Sequence, residues 1–216
     1  MNGLLVALRS EIFVGLHTLG SKLVIVTPAL LVALQYTLAK LTAAGTEARD
    51  SLLGQSSFDE ALTNNAWGYF VDGLSTGLTL LGLLLVAMSA YSFSFDRDTG
   101  AVRHLLIRRV SRPALVLAKL VYFHILALLA IVLLLAVCYF LSGSLWEFGP
   151  VVEDGFELIG EDEIRAEISL GLRLALLPLP AAIALGVLVS VLANSATAAV
   201  TGALGITLAM DLFKGM

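Results

Sequence analysis

The stretch YSFSFDRDTGAVRHLLIRRVSRPALVLAK, residues 91–119, lies between two long hydrophobic blocks and carries five arginines and one lysine. Its basic character contrasts with the rest of the chain, since 58% of the 216 residues are hydrophobic and only 14% are charged. A soluble domain carries about a quarter charged residues. The single cysteine, Cys138, rules out a disulfide framework or a metal site of cysteines within these residues. The composition therefore indicates a membrane protein.

Five hydrophobic blocks are long enough to cross a bilayer, which requires about 20 apolar residues. They are residues 22–40, 67–95, 114–141, 170–193 and 196–213. Two prolines, Pro178 and Pro180, predict a kink in the fourth block. We therefore predict an all-α fold, a polytopic membrane helical bundle that forms a single transmembrane domain over residues 1–216.

Charge is distributed unequally among the segments that connect the predicted spans. The segments 41–66 and 142–169 each hold one basic residue, against four and eight acidic residues, whereas the segment 96–112 holds five arginines. Short cytoplasmic loops collect Lys and Arg. We therefore predict that 96–112 is cytoplasmic, that the two acidic loops are extracytoplasmic, and that the N-terminus is cytoplasmic.

The first 21 residues predict a separate helix that lies in the membrane interface. Apolar residues recur at helical spacing, at Leu4, Leu5, Leu8, Ile12 and Leu16. Arg9 and Glu11 fall off that stripe, and a helix with one apolar and one polar side can lie flat at the headgroup level. The alternative is a longer first span whose beginning is frayed.

The basic segment itself predicts a short amphipathic helix. Asp98 or Thr99 is a suitable helix cap, and Pro113 closes the segment. One face is apolar, with Val102, Leu105, Leu106 and Val110, and the other positions include Arg103, His104 and Arg108. Such a helix can lie on anionic headgroups, at about 1 kcal/mol per arginine, or present its apolar face to the groove of a soluble partner. The pattern alone leaves both readings open.

The same residues resemble a motif of the permease subunits of ABC-2 type transporters. That motif has an acidic residue and Arg, then a Gly–Thr-like pair, a Leu pair, Val-Ser-Arg and a Lys. The matching residues are Asp96, Arg97, Gly100, Leu105, Leu106, Val110, Ser111, Arg112 and Lys119. The chain departs from the motif by Asp96 where Glu is commoner, by Thr99 before Gly100, and by Arg109 where Pro is frequent. The stretch GVLVSVLANSATAA, residues 186–199, is similar to the family's hairpin between the fourth and fifth spans.

The resemblance implies a function that composition and spacing alone do not indicate. It implies that a separate ABC ATPase subunit docks on a coupling helix, and that a second permease copy or a close relative completes the pore. The residues implied to contact the ATPase are Asp96, Arg97, Gly100, Val102, Arg103, Leu105, Leu106, Arg108 and Arg109. The chain contains no phosphate-binding G-x-x-x-x-G-K-[ST] loop, so ATP hydrolysis is expected in the partner. The resemblance further implies ATP-driven export or force transmission, six spans where this chain has five, and a bacterial inner membrane.

Three charged residues inside the predicted spans are candidates for a polar function. Asp72 lies near the outer end of the second span, where an intramembrane acid is either functional or a hydrated structural acid. Arg173 and Asp211 are both expected near the outer ends of adjacent helices, where they either pair or reach water separately. We expect no metal site, no cofactor and no nucleic-acid partner.

Two other classes of function compete with the permease. A scaffold or anchor subunit that does not transport would use the acidic outer loops as its docking surface. An intramembrane enzyme would need paired catalytic groups within the spans, and the sequence places none convincingly.

Overall fold

A computed structural model of the chain describes residues 2–53, 65–101, 110–153 and 156–214. The described helices are α1 Asn2–His17, α2 Leu19–Leu53, α3 Ala66–Asp98, α4 Arg112–Leu145, α5 Glu161–Leu176, α6 Pro178–Leu192 and α7 Ala196–Lys214. A small antiparallel hairpin, β1 Val151–Glu153 and β2 Phe156–Ile159, lies between α4 and α5. The predicted all-α class is therefore confirmed, with this hairpin as a minor addition.

Five segments of these helices are long and apolar enough to cross a membrane. They are Leu19–Gly45, Ala66–Asp98, Arg112–Leu145, Glu161–Leu192 and Ala196–Phe213. The helices also run into segments that we predicted as loops, because α2 continues to Leu53 and α5 begins at Glu161. A helix that continues past an apolar block satisfies its own backbone groups, so its end is not fixed by the end of the apolar residues.

The fourth span is interrupted near its middle. Helix α5 ends at Leu176, and α6 begins directly with Pro178 after a single turn residue, Leu177. Proline has no backbone N–H and its ring disturbs the preceding helical turn, whereas it is well suited to the first position of a new helix. Pro178 thus accounts for the interruption.

The first of two compact units comprises Met1–Val26, Thr79–Ile131 and Leu177–Met216. Small residues dominate the contact of α3 with α6 and α7, where Val86 and Ala90 pack with Ala199 and Ala203. Without a hydrophobic driving force between helices in lipid, small side chains allow the close approach that stabilises such contacts.

The second unit comprises Thr27–Leu78 and Val132–Leu176, and its core is aromatic. The rings of Tyr69 and Trp146 stack at 3.7 Å between centroids, and the hydroxyl of Tyr36 donates to the backbone oxygen of Tyr69 at 2.7 Å. Asn65 begins α3 by accepting a hydrogen bond from the backbone N–H of Trp67 at 2.9 Å. This helix cap fixes where α3 starts.

Candidate functional site

The end of helix α3 is the first described part of the basic segment. Asp98 is its last residue, and Gly100 follows in the left-handed conformation with φ of 77°. Glycine takes this conformation at little cost, and it is the usual residue just past the end of a helix. Gly100 thus turns the chain out of α3 into the remainder of the basic segment.

The greater part of the predicted amphipathic helix, residues 102–109, lies outside the described residues. The predicted contacts of Val102, Arg103, Leu105, Leu106, Arg108 and Arg109 with an ATPase fall on these residues and stay predictions. The two flanks of the segment are described: Asp96, Arg97 and Gly100 on one side, and Val110 on the other.

Lys119 forms a buried charge cluster with two acids from two other helices. Its ammonium nitrogen lies 2.5 Å from Oδ2 of Asp96 on α3 and 2.9 Å from Oε1 of Glu11 on α1. The side chain of Lys119, on α4, is only 2% exposed, against 13% for Glu11 and 24% for Asp96. A buried cation needs such partners because an unpaired one would be very costly. We call these three residues the charge triad.

Burial also changes the acid–base behaviour of the triad. Loss of hydration raises the pKa of Glu11 above its ordinary 4.5, because a low-dielectric site disfavours the charged carboxylate. Lys119 opposes this increase through its charge and its hydrogen bond, and the neighbouring Asp96 adds to it. Glu11 therefore takes up a proton more readily than an exposed glutamate does.

Tyr122 on α4 makes a second polar contact, to the beginning of α2, and it also packs against α1. The hydroxyl of Tyr122, one turn beyond Lys119, lies 2.7 Å from the hydroxyl of Ser21 at the beginning of α2. The Tyr122 ring passes directly over Gly15, where a Cβ atom would overlap it. Gly15 therefore allows α1 to approach the α4 surface closely.

Apolar contacts extend this packing toward the N-terminus of α1. Ala7 is 1% exposed and packs with Val110, Leu115 and Ala118. Leu4 and Leu8 contact the same cluster. Because Val110 directly follows the undescribed part of the basic segment, α1 is packed against one of that segment's two ends.

Arg97 and Asp98, which follow Asp96 on α3, bind the turn between α6 and α7. Arg97 donates from Nη2 to the backbone oxygen of Ala193 at 2.5 Å, just beyond the end of α6. Asp98 accepts from the backbone N–H of Ala196, the first residue of α7, at 2.9 Å. A cation at a helix C-terminus and an anion at a helix N-terminus are each favoured by the helix dipole. The sequence Asp96-Arg97-Asp98 thus connects the end of α3 directly to α4, α6 and α7, and through Lys119 to α1.

The contact between α3 and α6 continues with serine and glycine. The hydroxyl of Ser190 accepts from the backbone N–H of Ser94 at 2.9 Å and lies 3.1 Å from the Ser94 hydroxyl. One turn earlier on α6, a Cβ at Gly186 would overlap the hydroxyl of Ser89. The two helices are therefore close enough for hydroxyl groups to reach the opposite helix.

The three intramembrane candidates have separate environments. Asp72 accepts a hydrogen bond from the side-chain nitrogen of Gln35 on α2 at 2.7 Å, so it has a neutral polar partner in the second unit. Arg173 is exposed on α5 in the second unit, whereas Asp211 is exposed on α7 in the first. The two alternatives, that they pair or that they reach water separately, both stay open predictions.

The sequence predicts an external contact for Asp96, Arg97 and Gly100, but it does not indicate the internal partners of Asp96 and Arg97. Glu11 was expected to lie off the apolar stripe of α1, yet it turns toward α4 and binds Lys119. No local pattern identifies this partner, because Lys119 is 108 positions away in the sequence. Within the described residues, no group of three or more His, Cys, Asp or Glu side chains is placed to hold a metal ion.

The chain is a multi-pass membrane protein, because five of its helical segments are long and apolar enough to cross a membrane. A family model described as "ABC-2 family transporter protein" matches residues 6–216. The chain therefore belongs to the ABC-2 transporter family and is a permease component of an ABC transporter. Such permeases are transmembrane subunits that work with an ABC ATPase. No curated protein and no solved structure was found to match the chain.

Proposed function

We propose that the chain couples ATP hydrolysis by a separate ATPase subunit to export, or to transmission of force across the membrane. The observation that supports this most is the internal connection of Asp96, Arg97 and Asp98. These three consecutive residues contact residues on or beside three other helices, α4, α6 and α7, and Lys119 extends the connection to α1. A segment with this flank is well suited to pass a displacement to the whole of the first unit.

The docking surface is residues 99–111, which we call the docking segment. Its sequence offers Leu105 and Leu106 to a groove, with Arg103 and Arg108 for acidic groups around it. Asp96 and Arg97 support the segment from inside, since their charged groups already bind internal partners. We infer that ATPase contact at these two positions is secondary to this support.

In the proposed cycle, closure of the ATPase pair on ATP displaces the docking segment. The displacement reaches α3 and α4 as near-rigid bodies, because helices transmit motion without deforming much. Arg97 and Asp98 carry it to the turn between α6 and α7. A second copy of the permease, or a close relative, completes the complex.

The proposed orientation has the docking segment and the N-terminus on the cytoplasmic side of a bacterial inner membrane. Ser111 and Glu163 are both exposed and lie on opposite sides in this arrangement. A cysteine at Glu163 should react with an impermeant thiol reagent in intact cells, and one at Ser111 should react only after the membrane is opened. The reverse labelling would overturn the orientation and the docking proposal with it.

The docking proposal is tested by purification in mild detergent. The protein should copurify with a polypeptide that contains a phosphate-binding loop and hydrolyses ATP. The double variant Leu105→Asp, Leu106→Asp places charge in a desolvated contact and should lose at least nine-tenths of that partner, since burying an unpaired charge is very costly. The matched double variant Arg103→Gln, Arg108→Gln should retain most of it, because charges at the edge of a contact mainly affect association rate and salt dependence.

Two results would contradict the proposal. Full retention of the ATPase by the Leu105→Asp, Leu106→Asp protein would show that docking uses another surface. Copurification of other membrane proteins with no ATPase would favour the scaffold function. Membrane insertion of both variants, measured by alkali-resistant sedimentation, is the control.

A further inference from the structure

The charge triad joins three helices at a single cation, and two of them, α3 and α4, directly precede and follow the docking segment along the chain. We propose that Lys119 is a positioning residue that makes α1 move as one body with the ends of α3 and α4; this inference rests on the proposed docking of an ATPase. Lys119 touches neither nucleotide nor partner in this proposal. It acts by holding α1 to the helices that the partner displaces.

The position of the triad along the chain supports this role. Asp96 is two residues before the end of α3, and Lys119 is seven residues after the beginning of α4. At about 1.5 Å per residue, Lys119 lies roughly 10 Å along the axis from the start of α4. Both flanks of the docking segment are therefore held within two helical turns of its ends. A displacement of either flank acts on the triad almost directly.

The described apolar contacts of α1 fix its position less sharply. Leu4, Ala7 and Leu8 pack against a cluster formed by the first residues of α4 and by Val110 before it. These side chains are small or flexible, and apolar contacts are non-directional. Lys119 differs because it binds Glu11 and Asp96 at once, over distances of 2.9 and 2.5 Å. Polar contacts at such distances fix one register between helices, a role that buried charges serve in some proteins.

The opposite face of α1 is apolar and exposed, which makes it suitable for lipid. Leu5, Phe13 and Leu16 are each about two-thirds exposed. Lipid offers this face no directional contact, so the position of α1 is set by its packed face. Thr18 alone separates α1 from α2. A displacement of α1 would therefore pass directly to the beginning of the first span.

The experiment measures whether α1 follows α4 when the ATPase binds nucleotide. Spin labels are attached at Phe13→Cys on α1 and Leu128→Cys on α4, both exposed, in a Cys138→Ala background. A second pair combines Phe13→Cys with the exposed Leu188→Cys on α6. Distances are measured by pulsed electron paramagnetic resonance on the purified complex with its ATPase, without nucleotide and after trapping with ATP and vanadate.

The test compares the native triad with a neutral triad, Glu11→Gln, Asp96→Asn, Lys119→Met. Neutralising all three leaves no uncompensated buried charge, so this variant should fold. The matched control is Glu161→Gln, Arg165→Gln, which removes an exposed pair on α5 at 2.7 Å. That pair should not matter here, because exposed ion pairs contribute little.

With the native triad, we expect a single narrow distribution of α1–α4 label distances both without nucleotide and after trapping. The distribution of α1–α6 label distances should shift on trapping. With the neutral triad, the ATPase should still copurify, but the α1–α4 distribution should broaden or shift on trapping. The control should behave like the native protein.

Three results would overturn the inference. If the neutral triad keeps the native α1–α4 distance in both states, Lys119 does not position α1. If the α1–α6 distance of the native protein does not change on trapping, α1 does not move in the cycle. If no ATPase copurifies with the native protein, the proposed function itself fails, and the inference fails with it.

Discussion

Replacing Lys119 by Met should destabilise the protein strongly, because it leaves two largely buried carboxylates without their shared cation. The oxygens of Glu11 and Asp96 both lie within 3 Å of the ammonium nitrogen, so they are less than about 6 Å apart. Two like charges at that separation repel by roughly 3 kcal/mol at an effective dielectric constant of about 20. This agrees with the loss of about 3–5 kcal/mol seen when one partner of a buried pair is removed.

The free energy of unfolding is measured by titration with SDS in mixed micelles, followed by far-ultraviolet circular dichroism. At pH 7.5 we expect Lys119→Met to lose at least 2 kcal/mol, an order-of-magnitude lower bound. Adding Glu11→Gln and Asp96→Asn should recover most of the loss, since the repelling charges are then gone. Lys22→Met is the matched control, because Lys22 is exposed and its loss should change stability by less than about 0.5 kcal/mol.

Acid should partly rescue the single variant. Burial already raises the pKa of Glu11, and removal of Lys119 takes away the charge that opposed the increase. As the pH falls from 7.5, Glu11 takes up a proton before an exposed glutamate would, and the repulsion from Asp96 disappears. The reasoning would be refuted if Lys119→Met lost less than about 1 kcal/mol, or if the neutral triple variant were no more stable than the single one.

Three further predictions concern stability measured by the same titration. Gly186→Ala should lower the free energy of unfolding by about 1–3 kcal/mol, because the new Cβ would lie 2.8 Å from the backbone oxygen of Val86. The control Gly205→Ala, with nothing within 4 Å of its Cβ, should be near neutral. Equal losses of stability in the two variants would contradict the α3–α6 contact. Asp98→Ala should lower the free energy of unfolding by about 1 kcal/mol, because it removes a hydrogen-bond acceptor from the N-terminus of α7. An unchanged midpoint of the SDS titration would show that water replaces this acceptor. The native protein should gain stability as the pH falls through the raised pKa of Glu11 toward 4.5, because a raised pKa favours the folded state when the group is protonated. Glu11→Gln should remove that gain. If the pH profile of this variant were identical to that of the native protein, the effect would belong to another group.

The number of spans could be predicted from the sequence because it depends on a local quantity. A block of about 20 apolar residues is recognisable without knowledge of its neighbours, and the five blocks correspond to five helical segments. The break at Pro178 is local for the same reason, since proline acts on its own helix. Membership of the family also follows from residue types in order, and it is supported by a match over residues 6–216.

The partners of the charged residues depended on the tertiary structure. Asp96, Arg97 and Asp98 are adjacent in sequence, yet they bind Lys119, the carbonyl of Ala193 and the amide of Ala196. Successive helical residues point about 100° apart, because a turn contains 3.6 residues. Which helix each side chain meets was fixed only when the neighbouring helices were in place.

Glu11 is a single residue whose partner also could not be predicted from the sequence. The apolar stripe of α1 indicated an amphipathic helix, and a charge off that stripe was expected to face water or headgroups. In the structure α1 buries Ala7 against α4, and Glu11, one turn further, lies on that buried side. The sequence determined that residues 2–17 can form a helix with apolar residues on more than one side. The tertiary structure decided which side is packed, because Glu11 reaches Lys119 only when this side of α1 faces α4.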